Sequence, residues 1–161
     1  MDDSYREARL LAISHIGISH KSSGTVYNFL LRKGISGEVA QSVVHQLSTD
    51  GYIDDIRMAR SIIAKRSGRS TESRSVLFRR MLQAGISREA MDAIKDEAPE
   101  DRDSITVLTD AKLMPDLMRQ ISLDSFDADI WMNKAFRFLV SKGYSPSLSI
   151  DTLRNRIRDV E

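Results

Sequence analysis

Apolar residues recur along this chain at intervals of three and four. Val39, Val43, Val44 and Leu47 fall on one helical face, and so do Ile56, Ala59, Ile62 and Ile63. No stretch reads convincingly as a strand. The spacing predicts helices near 4–17, 22–33, 36–49, 54–67, 71–84, 87–97, 100–112, 115–122, 127–142 and 146–159.

Superimposed on this periodicity is a repeat. An apolar helical stretch, a glycine, an apolar residue and a serine occur three times: Phe29 to Ser36, Arg80 to Ser87 and Phe138 to Ser145. The glycines Gly34, Gly85 and Gly143 are 51 and 58 residues apart. Glycine closes a helix in the left-handed conformation without a steric penalty. The serine two positions on can cap the next helix, and Pro146 suits the first helical position after Ser145. Upstream, Ser22, Val26 and Leu30 keep register with Ser73, Leu77 and Met81, and with Trp131, Ala135 and Leu139. The expectation is an all-α chain of three tandem three-helix, helix-turn-helix-like repeats: 1–53, a basic 54–98, and 99–161. They form one continuous array, because a lone module of that size folds marginally.

A second turn, Gly51-Tyr52-Ile53-Asp54-Asp55, has Gly51 ending the third helix and Asp54 capping the fourth. Tyr52 and Ile53 are expected to plug the turn into the core. Asp55 then sits in a first helical turn, where the helix dipole favours a carboxylate. Reading Asp54 and Asp55 as a catalytic pair is weaker, since adjacent residues at a helix start point in different directions.

Composition removes several function classes. The chain has no cysteine, so disulfides and thiolate metal sites are excluded. No apolar run approaches the ~18 residues of a membrane span, and the start of the chain is acidic, so a soluble cytoplasmic protein is expected. The net charge of +1 conceals strong asymmetry. Residues 1–55 carry five basic and seven acidic groups, and residues 56–90 carry nine and two. Residues 91–130 carry four and eleven, and residues 131–161 six and three. Such a bipolar chain suits an extended partner surface better than simple wrapping of nucleic acid.

In order and spacing these motifs resemble the RecX family, bacterial regulators of the RecA recombinase. The resemblance is carried by Leu30-Leu31-Arg32-Lys33-Gly34, by Gly51-Tyr52-Ile53-Asp54-Asp55 with Met58-Ala59-Arg60, by Gly85-Ile86, and by Arg137-Phe138-Leu139 through Lys142-Gly143-Tyr144-Ser145. It departs at Lys21-Ser22-Ser23-Gly24-Thr25, which lacks the carboxylate of a capping box, and at Phe29, Met58 and Ala84. The resemblance implies an elongated, curved array with no cofactor and no chemistry of its own, acting as a monomer. It further implies docking into a RecA filament on single-stranded DNA, where the protein modulates ATP hydrolysis and strand exchange in DNA repair. Weak direct contact with DNA would accompany this.

The candidate binding residues follow from charge. Arg57, Arg60, Lys65, Arg66, Arg69, Arg74, Arg79 and Arg80 lie in the basic segment, which also holds Arg88 and is offset there only by Glu72 and Glu89. Lysines and arginines on a repeat surface can neutralise phosphates or acidic patches. Arg32 and Lys33 join them, although a basic residue before a turn glycine is equally explained by the helix dipole. His15 and His20 are five apart and do not match a zinc helix. Trp131, Phe136 and Phe138 are spaced for packing. The role of the acidic stretch 96–103 stays open between a polar helix start, DNA repulsion and a contact with a basic partner. The competing function is a helix-turn-helix transcription regulator binding DNA directly; an enzyme is not expected.

Overall fold

The computed structural model describes residues 3–160. Among them are ten α-helices, two short 3-10 helices and no strand. By contact the chain divides into two compact units. One comprises the chain up to Ile62 together with Arg79–Glu97; the other comprises Ile63–Phe78 and the chain from Ala98 onward. A three-way division at 53 and 98 follows the sequence repeat and is a proposal.

The first unit contains α1 (Asp3–Ile16), α2 (Ser23–Arg32), α3 (Gly37–Thr49), most of α4 (Asp55–Lys65), the end of α5 (Arg74–Gln83) and α6 (Arg88–Ile94). Its core joins Ala8, Ala12 and Ile16 to Val26, Leu30, Ala40, Val43, Leu47 and Ile53. Three alanines at the contact let the helix backbones approach closely, which suits a module short of large apolar side chains. The second unit holds the end of α4, the start of α5, and α7 (Asp101–Lys112), α8 (Met114–Ser122), α9 (Ala128–Ser141) and α10 (Pro146–Arg158). Its core is larger-grained: Ile105, Leu108, Leu117, Trp131, Leu139, Tyr144 and Leu153.

The three repeated turns are the same object. Gly34, Gly85 and Gly143 have φ of +83°, +75° and +90°. In each, the residue after the glycine donates its N–H to the carbonyl five residues back: Ile35 to Leu30, Ile86 to Met81 and Tyr144 to Leu139. The glycine N–H bonds the carbonyl three back, completing a Schellman closure that satisfies the last helical carbonyls. Ser36, Ser87 and Ser145 then accept from the N–H of Val39, Ala90 and Leu148, as N-caps.

Several boundaries differ from the sequence expectation for physical reasons. The fifth helix begins at Arg74 and not near 71: Thr71 is extended, Thr71, Glu72 and Ser73 are buried outside the helix, and the Ser73 hydroxyl accepts from Val76 N at the helix start. The helix placed at 87–97 is α-helical only to Ile94 and tightens into a 3-10 turn at Lys95–Glu97. Ile53 plugs the Gly51 turn as expected, but Tyr52 does not: it is 46% exposed, with the Arg9 guanidinium 5.8 Å from its ring centroid. That arrangement keeps the phenol wet and places a cation over an aromatic face.

Candidate polyanion-binding surface

The ten candidate cations divide between the units. Arg32, Lys33, Arg57, Arg60, Arg79 and Arg80 belong to the first, and Lys65, Arg66, Arg69 and Arg74 to the second. Arg32, Lys33, Arg57, Lys65, Arg69 and Arg79 are exposed. Arg57 and Lys65 are two helical turns apart on α4, and so lie on one side of it.

Arg60, Arg66 and Arg74 are engaged by acids, of which Glu97 and Glu100 lie outside the basic segment and Glu72 within it, and Arg80 is partly buried. Arg60 grips Glu97 with two hydrogen bonds, Nε to Oε2 at 2.8 Å and Nη2 to Oε1 at 2.7 Å. The bidentate bond raises the arginine's affinity for its proton and lowers the Glu97 carboxyl below the usual range. Arg66 lies 4.0 Å from the buried Glu72. Arg74 pairs with Glu100, and its backbone N–H donates to Asp101 Oδ1 at 2.7 Å. Within each unit, then, the acidic stretch pairs with part of the basic segment. That supplies a structural role for residues 96–103 that the sequence left undecided.

Lys33 is explained by its neighbours: its Nζ stands 5.6 Å from the Phe29 ring centroid. Lys142 stands 5.6 Å from Phe138 in the third copy of the turn. The cation before the glycine thus packs over an aromatic ring four residues earlier, a pairing worth roughly 0.5–1 kcal/mol at an exposed site. On Phe29 the His15 imidazole is also stacked, with centroids 3.9 Å apart and planes within 2°.

The residues that sequence reasoning undervalued are structural. Asp54 caps α4 through Arg57 N at 2.8 Å, as expected. Asp55 does much more than favour a helix dipole. It is 8% exposed, and its Oδ1 accepts from Ser23 N at 2.9 Å. Its Oδ2 accepts from Ser87 N at 2.7 Å and from the Ser23 hydroxyl. One carboxylate therefore ties the starts of α2, α4 and α6. It also supplies, from 32 residues away, the carboxylate that the Lys21–Thr25 segment lacks. Asp101 does the same for α5 through Arg74 N. Among the described residues no cluster of histidine and carboxylate side chains is arranged to hold a metal ion, and no helix is long and apolar enough to cross a membrane.

Comparison with known proteins agrees with this architecture. A regulatory protein RecX from Clostridium tetani is 28% identical over 145 residues, covering 89% of this chain and 64% of that protein. The RecX of Amycolatopsis mediterranei is 21% identical, covering 98% of this chain and 87% of its own length. A third, from Streptococcus uberis, is 21% identical and is spanned over 58% of its length. The chain thus spans under two thirds of two of these relatives. The crystal structure of RecX from Lactobacillus salivarius shares the fold, with a TM-score of 0.70, 16% identity, and coverage of 98% of this chain and 99% of that one. No family model matches the chain.

Proposed function

We propose that this chain, which belongs to the RecX family, is a regulator without chemistry of its own that binds filaments of a RecA-type recombinase on single-stranded DNA. Binding there modulates the recombinase's ATPase, strand exchange and the repair response that depends on them. The protein acts as a cytoplasmic monomer, without cofactor, and its contact with naked DNA is weaker than with the filament.

The observation that carries this reading is the pairing of a repeated helical framework with exposed cations on it. Arg32 and Arg79 project from helices ended by the repeated glycine turns, Arg57 and Lys65 from a helix capped by Asp54, and Arg69 from a 3-10 turn. Exposed cations held within each unit offer charge to an extended polyanion or an acidic protein groove. Arg60, held by Glu97, contributes less than its position suggests.

The test is the ATPase of a cognate recombinase on single-stranded DNA, measured with and without this protein, beside its affinity for filament and for naked strands. The expected result is a changed ATPase rate and tighter binding to filament. Charge reversal at Arg57, Lys65, Arg69 and Arg79 should abolish both effects while leaving helicity intact, since exposed charges contribute only ~0–1 kcal/mol per pair to folding. Equal affinity for duplex DNA and filament, with no change in ATPase, would favour a direct DNA-binding regulator.

A further inference from the structure

On the second unit, α7 and α10 flank an open groove of about 540 Å3 that lies outside the basic segment altogether. Among the described residues four arginines line it, Arg102 from α7 and Arg154, Arg156 and Arg158 from α10, against a single acid, Asp151. Arg102, Arg154 and Arg158 are exposed. Arg156 is anchored: its Nη2 donates to Asp110 at 2.8 Å and its Nη1 to Asp159 at 3.3 Å. That leaves three arginines around one groove with no ion pair to any acid among the described residues.

We propose that this groove binds the phosphodiester backbone of a nucleic-acid strand. Charge is the first argument. Three unneutralised guanidinium groups repel one another, and an arriving polyanion relieves that repulsion while releasing its own counterions. Geometry is the second. Arg154 and Arg158 are four apart on α10, one helical turn, and Arg102 faces them from α7, so the cations bracket the groove from both sides. The third argument selects phosphate over an acidic protein segment. Protein interfaces are anchored by buried aromatic or aliphatic side chains seated in pockets. Among the described residues that line the groove none is aromatic, and Leu148 is the only large apolar one. Its threonine hydroxyls are already spent on their own helices, Thr106 to the Arg102 carbonyl and Thr152 to the Leu148 carbonyl. What remains is arginine, the side chain that grips phosphate oxygens bidentately. Without an aromatic platform for bases, binding there is independent of sequence.

This goes beyond the recombinase reading and stands without it, because the experiment needs no recombinase. Binding of the whole chain to a fluorescein-labelled oligothymidylate is followed by anisotropy across a salt series. The triple variant R102E/R154E/R158E should bind at least about tenfold more weakly at low salt. The slope of log affinity against log salt should flatten by about 2, at ~0.7 for each single-strand phosphate that the protein no longer neutralises. Asp151→Asn removes the only acid that lines the groove among the described residues and should tighten binding by roughly twofold. Circular dichroism of each variant should match the wild type. Binding within twofold of wild type for the triple variant, or no gain from Asp151→Asn, overturns the proposal. So does displacement of the oligonucleotide by polyglutamate as effective as by unlabelled oligonucleotide at equal charge, which would make an acidic protein the occupant.

Discussion

Gly34 and Gly85 close the same turn, with φ of +83° and +75° and the same pair of backbone hydrogen bonds. Around Gly34 an added Cβ would meet nothing within 4 Å. At Gly85 it would meet Ser22 Oγ at 2.8 Å and the Thr25 nitrogen at 3.1 Å. The difference is a docking seat. Ser22, the N-cap of α2, donates its hydroxyl to the Ala84 carbonyl at 2.6 Å, and Gly24 N donates to the Gly85 carbonyl at 2.8 Å. The second unit repeats the device. Ser73 N donates to the Lys142 carbonyl at 3.1 Å, and a Cβ on Gly143 would meet Ser73 Oγ at 2.4 Å and Val76 Cγ2 at 2.3 Å. In each unit, a turn from one copy of the repeat sits on the first turn of a helix belonging to the copy before it. The Gly34 turn belongs to the first copy and has no such seat among the described residues. One motif therefore does two jobs, ending a helix everywhere and joining copies at two of the three positions.

The largest expected effect breaks that seat. Gly85→Val combines left-handed strain of ~1–2 kcal/mol with overpacking of ~1–3 kcal/mol against Ser22 and the Thr25 backbone, for a loss of about 4 kcal/mol. Gly34→Ala meets only the backbone strain and should lose about 1–2 kcal/mol. Gly24→Ala makes the same point from the other side: its Cβ would come within 2.7 Å of the Gly85 carbonyl oxygen, backbone against backbone. Chemical denaturation of the three variants gives the ranking. Equal losses at Gly34 and Gly85 would mean that the seat adds nothing to the turn.

Next in size is the carboxylate beside each seat. Asp55→Ala strands the N–H groups of Ser23 and Ser87, at ~1–3 kcal/mol for each buried donor left unmet, and should lose about 3 kcal/mol. Asp101→Ala strands the Arg74 N–H and should lose about half as much. Asp55→Asn keeps the shape but removes the charge, and should fall between wild type and alanine. Denaturation midpoints that place Asp55→Ala level with Asp101→Ala would remove the distinction between a carboxylate that ties three helix starts and one that ties two.

Helices, turns and caps were legible in the sequence because they are local. A glycine that must adopt positive φ and a serine two residues later announce themselves at fixed spacing. The seats were not legible. Asp55 looks like an ordinary first-turn acid, and its partners Ser23 and Ser87 are each 32 residues away. Glu97 and Glu100 read as part of an acidic run, although one holds Arg60 and the other Arg74. The segmental charge count was correct for the sequence and overstated the number of uncommitted cations, since ion pairing obeys distance in space and not position in the chain. Gly24 carried one signal that could have been used: a glycine inside the first turn of a helix costs helix propensity, and close backbone approach is a reason to keep it.

A smaller effect compares the apolar residues that follow the turn glycines. Ile86 is buried without a polar atom to satisfy, but its counterpart Tyr144 donates its hydroxyl to Ser104 Oγ at 3.0 Å. Burial pushes the phenol pKa up to about 12, so it stays neutral and donates at any physiological pH. Tyr144→Phe should lose about 1 kcal/mol, the net worth of one such bond, with helicity unchanged. A loss indistinguishable from zero in urea denaturation would show that Ser104 finds another partner.

The smallest expected effect is a pH dependence confined to one of the two cation–aromatic pairs. Phe29 carries Lys33 and the stacked His15, whereas Phe138 carries Lys142 without a stacked imidazole. Burial lowers the His15 pKa below its ordinary 6.5, and the nearby charges of Lys21 and Arg32 lower it further. Between that depressed value and 6.5 the unfolded chain binds more protons at this position than the folded one. The contribution of His15 to stability is therefore retained above about 6.5 and falls as pH drops through that window toward the folded pKa. Acidification from neutrality to mildly acidic pH should lower the melting temperature of the wild type by more than that of His15→Gln, which cannot acquire the proton. The same substitution leaves the Phe138–Lys142 pair untouched. If His15→Gln and the wild type lose stability in parallel as pH falls, the imidazole on Phe29 is not the titrating group, and the two cation–aromatic pairs are equivalent in this respect.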